Sequence, residues 1–154
     1  MSPHSSNPIE WVLNHPPIFF ILFGLVWVAL MYFSALVGGW TALSNRFQLR
    51  EKFFGKTWPF LSARMRFLTR YGNCLEIGAD QSGLFLSVFP LFRIGHPPLL
   101  VPWQEISIDS GESGLIFKKR ELRLGREEDI PFRISVSLCE KLQREAGAAW
   151  PVRA

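Results

Sequence analysis

The chain has 154 residues, 48% of them hydrophobic, with 17 basic and 13 acidic residues for a net charge of +4. That length holds one ordinary domain and little else. Two cysteines are too few and too far apart for a disulfide scaffold or a zinc site, so Cys74 and Cys139 read as small apolar residues.

Charge is distributed unevenly. No charged residue lies between Pro16 and Asn45, and only Glu10 precedes that stretch. Within it, Ile18 to Val37 forms an apolar run in which thirteen of twenty residues are Leu, Ile, Phe or Val. As a helix, the run is long enough for a hydrocarbon slab of roughly 30 Å. On an insertion scale its apolar residues favour the membrane by about 5 kcal/mol. A transmembrane helix is therefore expected over 16–43, after a short extracytoplasmic segment 1–15. Pro16 and Pro17 suit the helix start, where no N–H is needed. Trp11 before the run and Trp40 after it are expected at the headgroup boundaries. A core helix apolar on all faces would exceed what so small a domain can cover. A cleaved signal peptide would need a basic start that is absent here, although Ser34 and Ala35 offer a small-residue pattern.

Residues 44–64 read as a basic juxtamembrane linker. Leu43, Phe47 and Phe54 share one helical face, but Leu49 and Phe53 fall opposite, so no clean amphipathic helix is expected. Trp58-Pro59 is expected to break any helix there. Arg46, Arg50, Lys52, Lys56, Arg64, Arg66 and Arg70 stand against Glu51 alone between 46 and 70. This excess assigns the C-terminal side to the cytoplasm of a cell (inner) membrane. The same seven residues are candidates for contact with anionic lipid headgroups, at about 1 kcal/mol each near a charged surface. Residues 71–154 carry ten basic against eleven acidic residues. A domain that near neutrality lacks the basic face of a nucleic-acid binder.

From Met65 onward the pattern shifts to period two. Phe67–Ile77 reads as a strand pair or a strand bent at Gly72-Asn73, and Leu84–Phe89 as a central strand apolar on both faces. Leu91-Phe92 is expected to continue that strand past Pro90. Leu99–Ile108 reads as one further strand, at an edge or bulged because of Pro102. Leu115–Phe117, Leu122–Leu124 and Ile130–Ile134 read as shorter strands. Ser137 and Glu140 fit a capping box that opens a helix carrying Leu138, Leu142 and Ala146, closed by Gly147. The expected fold class is α+β: a transmembrane helix, then a small antiparallel β-barrel or sheet over 65–154, capped by a C-terminal helix.

The run Gly83-Leu84-x-Leu86, followed by Val101-Pro102-Trp103-x-x-Ile106, then strands and a terminal helix, resembles bacterial pleckstrin-homology-like (PH-like) domains. The step Gly39-Trp40-x-x-Leu43 is similar to that of bacterial single-pass membrane proteins with a short N-terminal anchor. The resemblance covers residues 38–146 and implies a binding or scaffolding role. It does not imply a phosphoinositide site in the first strand loop, because 78–83 contains Asp80 and no Lys or Arg.

No catalytic constellation is evident, and no cofactor or metal set is expected. His4 and His15 precede the anchor, and His96 stands alone in a Gly-His-Pro-Pro turn. There is no His-Glu-x-x-His, Cys-x-x-Cys pair, Gly-x-Ser-x-Gly or phosphate-binding glycine loop. Glu127–Asp129 and Lys118–Arg120 read as solvated turns. The expected function is a membrane-tethered interaction or scaffolding module, with anionic lipid or a membrane protein as partner. The alternative is an accessory enzyme subunit whose site forms only in a complex, discriminated by a polar pocket around His96. An oligonucleotide-fold domain would lack the terminal helix.

Overall fold

The computed structural model describes residues 8–9, 15–66, 69–113 and 119–151, with the side chains of 110–113 outside the description. Trp11, Lys118 and the expected strand Leu115–Phe117 lie outside the described residues.

Helix α1 runs Pro16–Gly38, with proline in its first turn and Gly39 as its left-handed C-cap at φ 83°. It is long and apolar enough to cross a membrane, and only 6% of its most apolar window is buried against the protein. That exposure separates it from the core helix of a soluble domain, which would hide at least one face. Gly39 turns the chain into α2, Trp40–Phe47.

Seven antiparallel strands follow: β1 Lys56–Met65, β2 Thr69–Ala79, β3 Gly83–Val88, β4 Leu99–Pro102, β5 Ile106–Ser113, β6 Lys119–Leu124 and β7 Ile130–Ser135. They form one nearly closed sheet in the order β4-β3-β2-β1-β7-β6-β5. Helix α3, Val136–Ala146, packs Leu138, Cys139, Leu142 and Ala146 into it. The α+β architecture expected from the sequence is what the chain adopts.

Several local readings change. The segment expected as a linker, 44–64, includes most of β1 and packs on the sheet. Trp40 and Leu43 just before it are wholly buried in the domain core, and Phe53 stacks on Phe85 with ring centroids 4.5 Å apart. Gln48 bridges to Leu99, and the Leu49 N–H donates to the Pro98 carbonyl at 2.8 Å. This stretch therefore covers the open edge of β4, which would otherwise present unpaired backbone groups. Trp58-Pro59 lies inside β1, where register shifts between Trp58 and Ala63 absorb the proline in a bulge. Phe60 adopts φ 56° there.

Downstream, β2 is a single strand whose bend at Asn73, φ 49°, faces the β1 bulge. Leu91-Phe92 forms a 3-10 turn rather than more strand. The expected strand 99–108 is broken by a 3-10 turn at Trp103–Glu105. That turn carries the chain from β4 at one edge of the sheet to β5 at the other. The α3 cap is Ser135, whose Oγ accepts from the Leu138 N–H at 3.3 Å, in place of the expected Ser137.

The sheet is weakest at its central strand. β1 pairs with β2 along its length, but with β7 only at Arg64↔Arg133 and Met65↔Phe132. Away from that point the two strands diverge.

Candidate functional site

Two features stand out: an aromatic joint between the anchor and the sheet, and a basic groove beside it.

The joint is built on Trp40, the second residue after α1. Its ring lies 5.6 Å from Tyr71 and 5.2 Å from His96, and its Nε1 donates to the Pro97 carbonyl at 2.9 Å. His96 is 1% exposed. Its Nδ1 is 3.0 Å from the Ile94 carbonyl, and its Nε2 is 3.0 Å from the Tyr71 hydroxyl. A carbonyl only accepts, so Nδ1 carries the proton and Tyr71 donates to Nε2. Burial lowers the His96 pKa, against the opposing hydrogen bond to Ile94. Burial likewise raises the Tyr71 pKa. Both ring nitrogens of His96 are thus committed, and its surroundings are aromatic and neutral. Burial also pushes both thiols, Cys74 and Cys139, up from their ordinary value, so neither is activated as a nucleophile.

Glycines let the joint close. A Cβ at Gly38 would meet Thr69 of β2 at 3.1 Å. One at Gly95 would lie 3.4 Å from Tyr32 and 3.5 Å from Ala35 of α1. The base of α1 is therefore seated on β2 and on the loop 89–98. Trp40, expected at a headgroup boundary, is 0% exposed. Its indole is satisfied by protein, and it is a core residue.

The groove occupies the gap where β1 and β7 diverge. It has a volume of about 770 Å³. Arg64, Arg70, Lys119 and Arg133 line it, together with Phe60 and the first turn of α3, and among the described residues no carboxylate lines it. Pairing places these cations together. Arg64 faces Arg70 across β1–β2 and Arg133 across β1–β7. Arg133 is also ion-paired to Glu121 of β6. The first turn of α3 adds the positive end of a helix dipole. At the floor, the Asn73 N–H donates to Ser62 Oγ at 2.9 Å, and that hydroxyl donates to Asn73 Oδ1 at 2.7 Å.

The seven expected lipid-contact residues separate into two groups. Arg46 faces three carboxylates, Glu128 at 3.2 Å, Glu127 at 3.3 Å and Glu105 at 3.6 Å. The acidic turn 127–129, expected to be merely solvated, thus supplies Glu127 and Glu128 as partners of Arg46, one residue before the end of α2. Lys56 pairs with Glu145 of α3 at 3.1 Å. These two exposed charges have carboxylate partners within the protein. Arg50, Lys52, Arg64, Arg66 and Arg70 are exposed, and of these Arg64 and Arg70 enter the groove. Arg133 escapes sequence reasoning because it lies on a strand far along the chain, and Lys119 is read there as part of a solvated hairpin tip, with an anion patch as the lesser alternative. Among the described residues, no group of three metal-ligating side chains occurs.

No family model, curated protein or solved structure matches this chain.

Proposed function

We propose that the chain is a single-pass membrane protein whose PH-like β domain binds anionic lipid headgroups in the groove between β1 and β7. The carrying observation is the set of four cations, Arg64, Arg70, Lys119 and Arg133, in a gap with no carboxylate among its described lining residues, Arg133 being paired from outside it by Glu121. Its level relative to the anchor supports the reading. Arg70 lies between Thr69, which packs on Gly38, and Tyr71, which packs on Trp40. Thr69 thus meets the last residue of the apolar helix and Tyr71 the second residue after it, so Arg70 lies level with that helix's end, where headgroups would begin. Phe60, at the other end of the groove, is 65% exposed and 6.0 Å from Phe89. The seven-strand sheet with its terminal helix supports the PH-like reading. The basic excess after α1 supports a cytoplasmic domain on an inner membrane.

The experiment uses the full chain, because Trp40 and Leu43 belong to the domain core. In detergent micelles, a short-chain phosphatidylglycerol should bind more tightly than the matching phosphatidylcholine, and its affinity should fall as salt is raised. Equal affinity for the two lipids would reject the proposal. A C-terminal alkaline-phosphatase fusion tests the orientation. It should be inactive, and an active fusion would place the domain on the other side.

A further inference from the structure

The loop between β3 and β4 runs up the side of the anchor. Phe92 meets Trp27 at 5.6 Å, and Gly95 packs on Tyr32 and Ala35. Trp27 lies eleven residues before Gly38, which is about 16 Å along a helix rising 1.5 Å per residue. A hydrocarbon slab is roughly 30 Å thick. If Ile18–Val37 fills that slab, Trp27 stands near its middle, and Phe92 stands beside it.

The loop has the surface for such a place. Phe89 is 48% exposed, Leu91 63% and Ile94 37%, and Phe60 of β1 adds 65%. They continue the exposed apolar surface of α1 instead of facing the domain core. The backbone is suited as well. Irregular backbone in hydrocarbon is tolerated only where its polar groups are satisfied internally. Here Phe89 N–H donates to Cys74, Phe92 N–H to Phe89, Arg93 N–H to Pro90 and His96 N–H to Arg93, at 2.8–3.3 Å, which leaves only the N–H groups of Leu91 and Ile94 within 89–94 without a backbone acceptor among the described residues. Pro90, Pro97 and Pro98 have no N–H to satisfy. The one charge, Arg93, sends its guanidinium back to Ser87 Oγ at 3.3 Å, towards the strand.

We infer that residues 89–94, with Phe60, are inserted among the acyl chains of the leaflet next to the β domain. The domain is then wedged into the membrane at a set height and angle, and does not swing on a tether. The inference rests on α1 crossing a bilayer, but not on any anionic headgroup.

The test is fluorescence of an environment-sensitive NBD label on Leu91→Cys, in the full chain carrying Cys74→Ala. Cys139 is wholly buried and stays. The protein is reconstituted into pure phosphatidylcholine vesicles, which removes headgroup charge. Leu25→Cys on α1 reports the anchor, and Gln81→Cys, in the turn beyond the far end of β2, reports water. The Leu91 label should emit at the blue-shifted wavelength of the Leu25 label. It should be quenched several-fold more by acyl-chain doxyl lipid than by iodide, while the Gln81 label shows the reverse. Ile94→Cys should repeat the result and serves if Leu91→Cys misfolds. Iodide quenching at Leu91 with lipid quenching at Leu25 would overturn the inference and leave the anchor standing. Protection from both quenchers would mean that protein covers the loop, and would overturn it too. Failure at Leu25 would overturn the membrane reading and the inference together.

Discussion

Trp40 Nε1 donates to the carbonyl of Pro97 at 2.9 Å, across 57 residues of sequence. One partner begins the helix after the anchor, and the other lies in the loop that climbs the anchor's side. The bond and the rings around it bind the long apolar helix to the sheet as one packed unit.

Removing that unit's centre should be costly. Trp40→Ala leaves a cavity among Tyr71, His96 and the base of α1, and should destabilise the domain by about 3–5 kcal/mol. Trp40→Phe keeps most of the volume but leaves the Pro97 carbonyl without its donor, at about 1–3 kcal/mol. Thermal unfolding followed by circular dichroism in detergent ranks the two. Equal midpoints for Trp40→Ala and the parent would show that the joint does not hold.

His96 predicts a pH dependence. Its folded pKa lies below the ordinary 6.5 because burial disfavours the charged ring. The unfolded chain therefore takes up the proton first as pH falls. The stability contributed by neutral His96 is fully present above about pH 6.5 and is lost progressively below it. The melting midpoint should drop between pH 7.5 and 5.5, and His96→Gln should flatten that drop while lowering the midpoint at both values.

The cap of α3 separates two neighbouring serines. Ser135→Ala removes the acceptor for the Leu138 N–H and should cost about 1 kcal/mol, read as a lower denaturant midpoint. Ser137→Ala, exposed inside the first turn, should change the midpoint within about 0.5 kcal/mol.

Arg46 should act on the protein alone. Arg46→Ala leaves Glu105, Glu127 and Glu128 without their shared cation. Because the site is open to solvent, the melting midpoint should fall only slightly. Lipid affinity should not change, as measured by the phosphatidylglycerol titration.

What was readable in the sequence depended on how local each signal was. The anchor was legible because twenty successive residues carry one message. Strand β3 was legible because its six residues are apolar on both faces. Strand β1 was not, because Pro59 and the bulge at Phe60 break its alternation, and its paired charges resemble a topology signal. Trp40 was misread for a physical reason: an aromatic ring after an apolar helix carries the same signal whether it is covered by lipid or by protein. Arg64 and Arg70 were picked out as part of a charge run. Arg133 carries no such signal and Lys119 reads as a solvated tip, because only the short β1–β7 pairing and the place of β6 bring them together with Arg64 and Arg70. Ser135 was passed over for Ser137 because the capping-box spacing to Glu140 favours the later serine, whereas the strand delivers the earlier one in the extended conformation a cap requires.

The most direct measurement is the affinity of the full chain for short-chain phosphatidylglycerol, with and without the double change Arg64→Ala/Arg70→Ala. Both side chains are exposed, so the fold should survive their removal. At about 1 kcal/mol per cation, affinity should fall about 30-fold while phosphatidylcholine binding stays the same. Unchanged phosphatidylglycerol affinity in the double variant would contradict the assignment of the groove as a headgroup site.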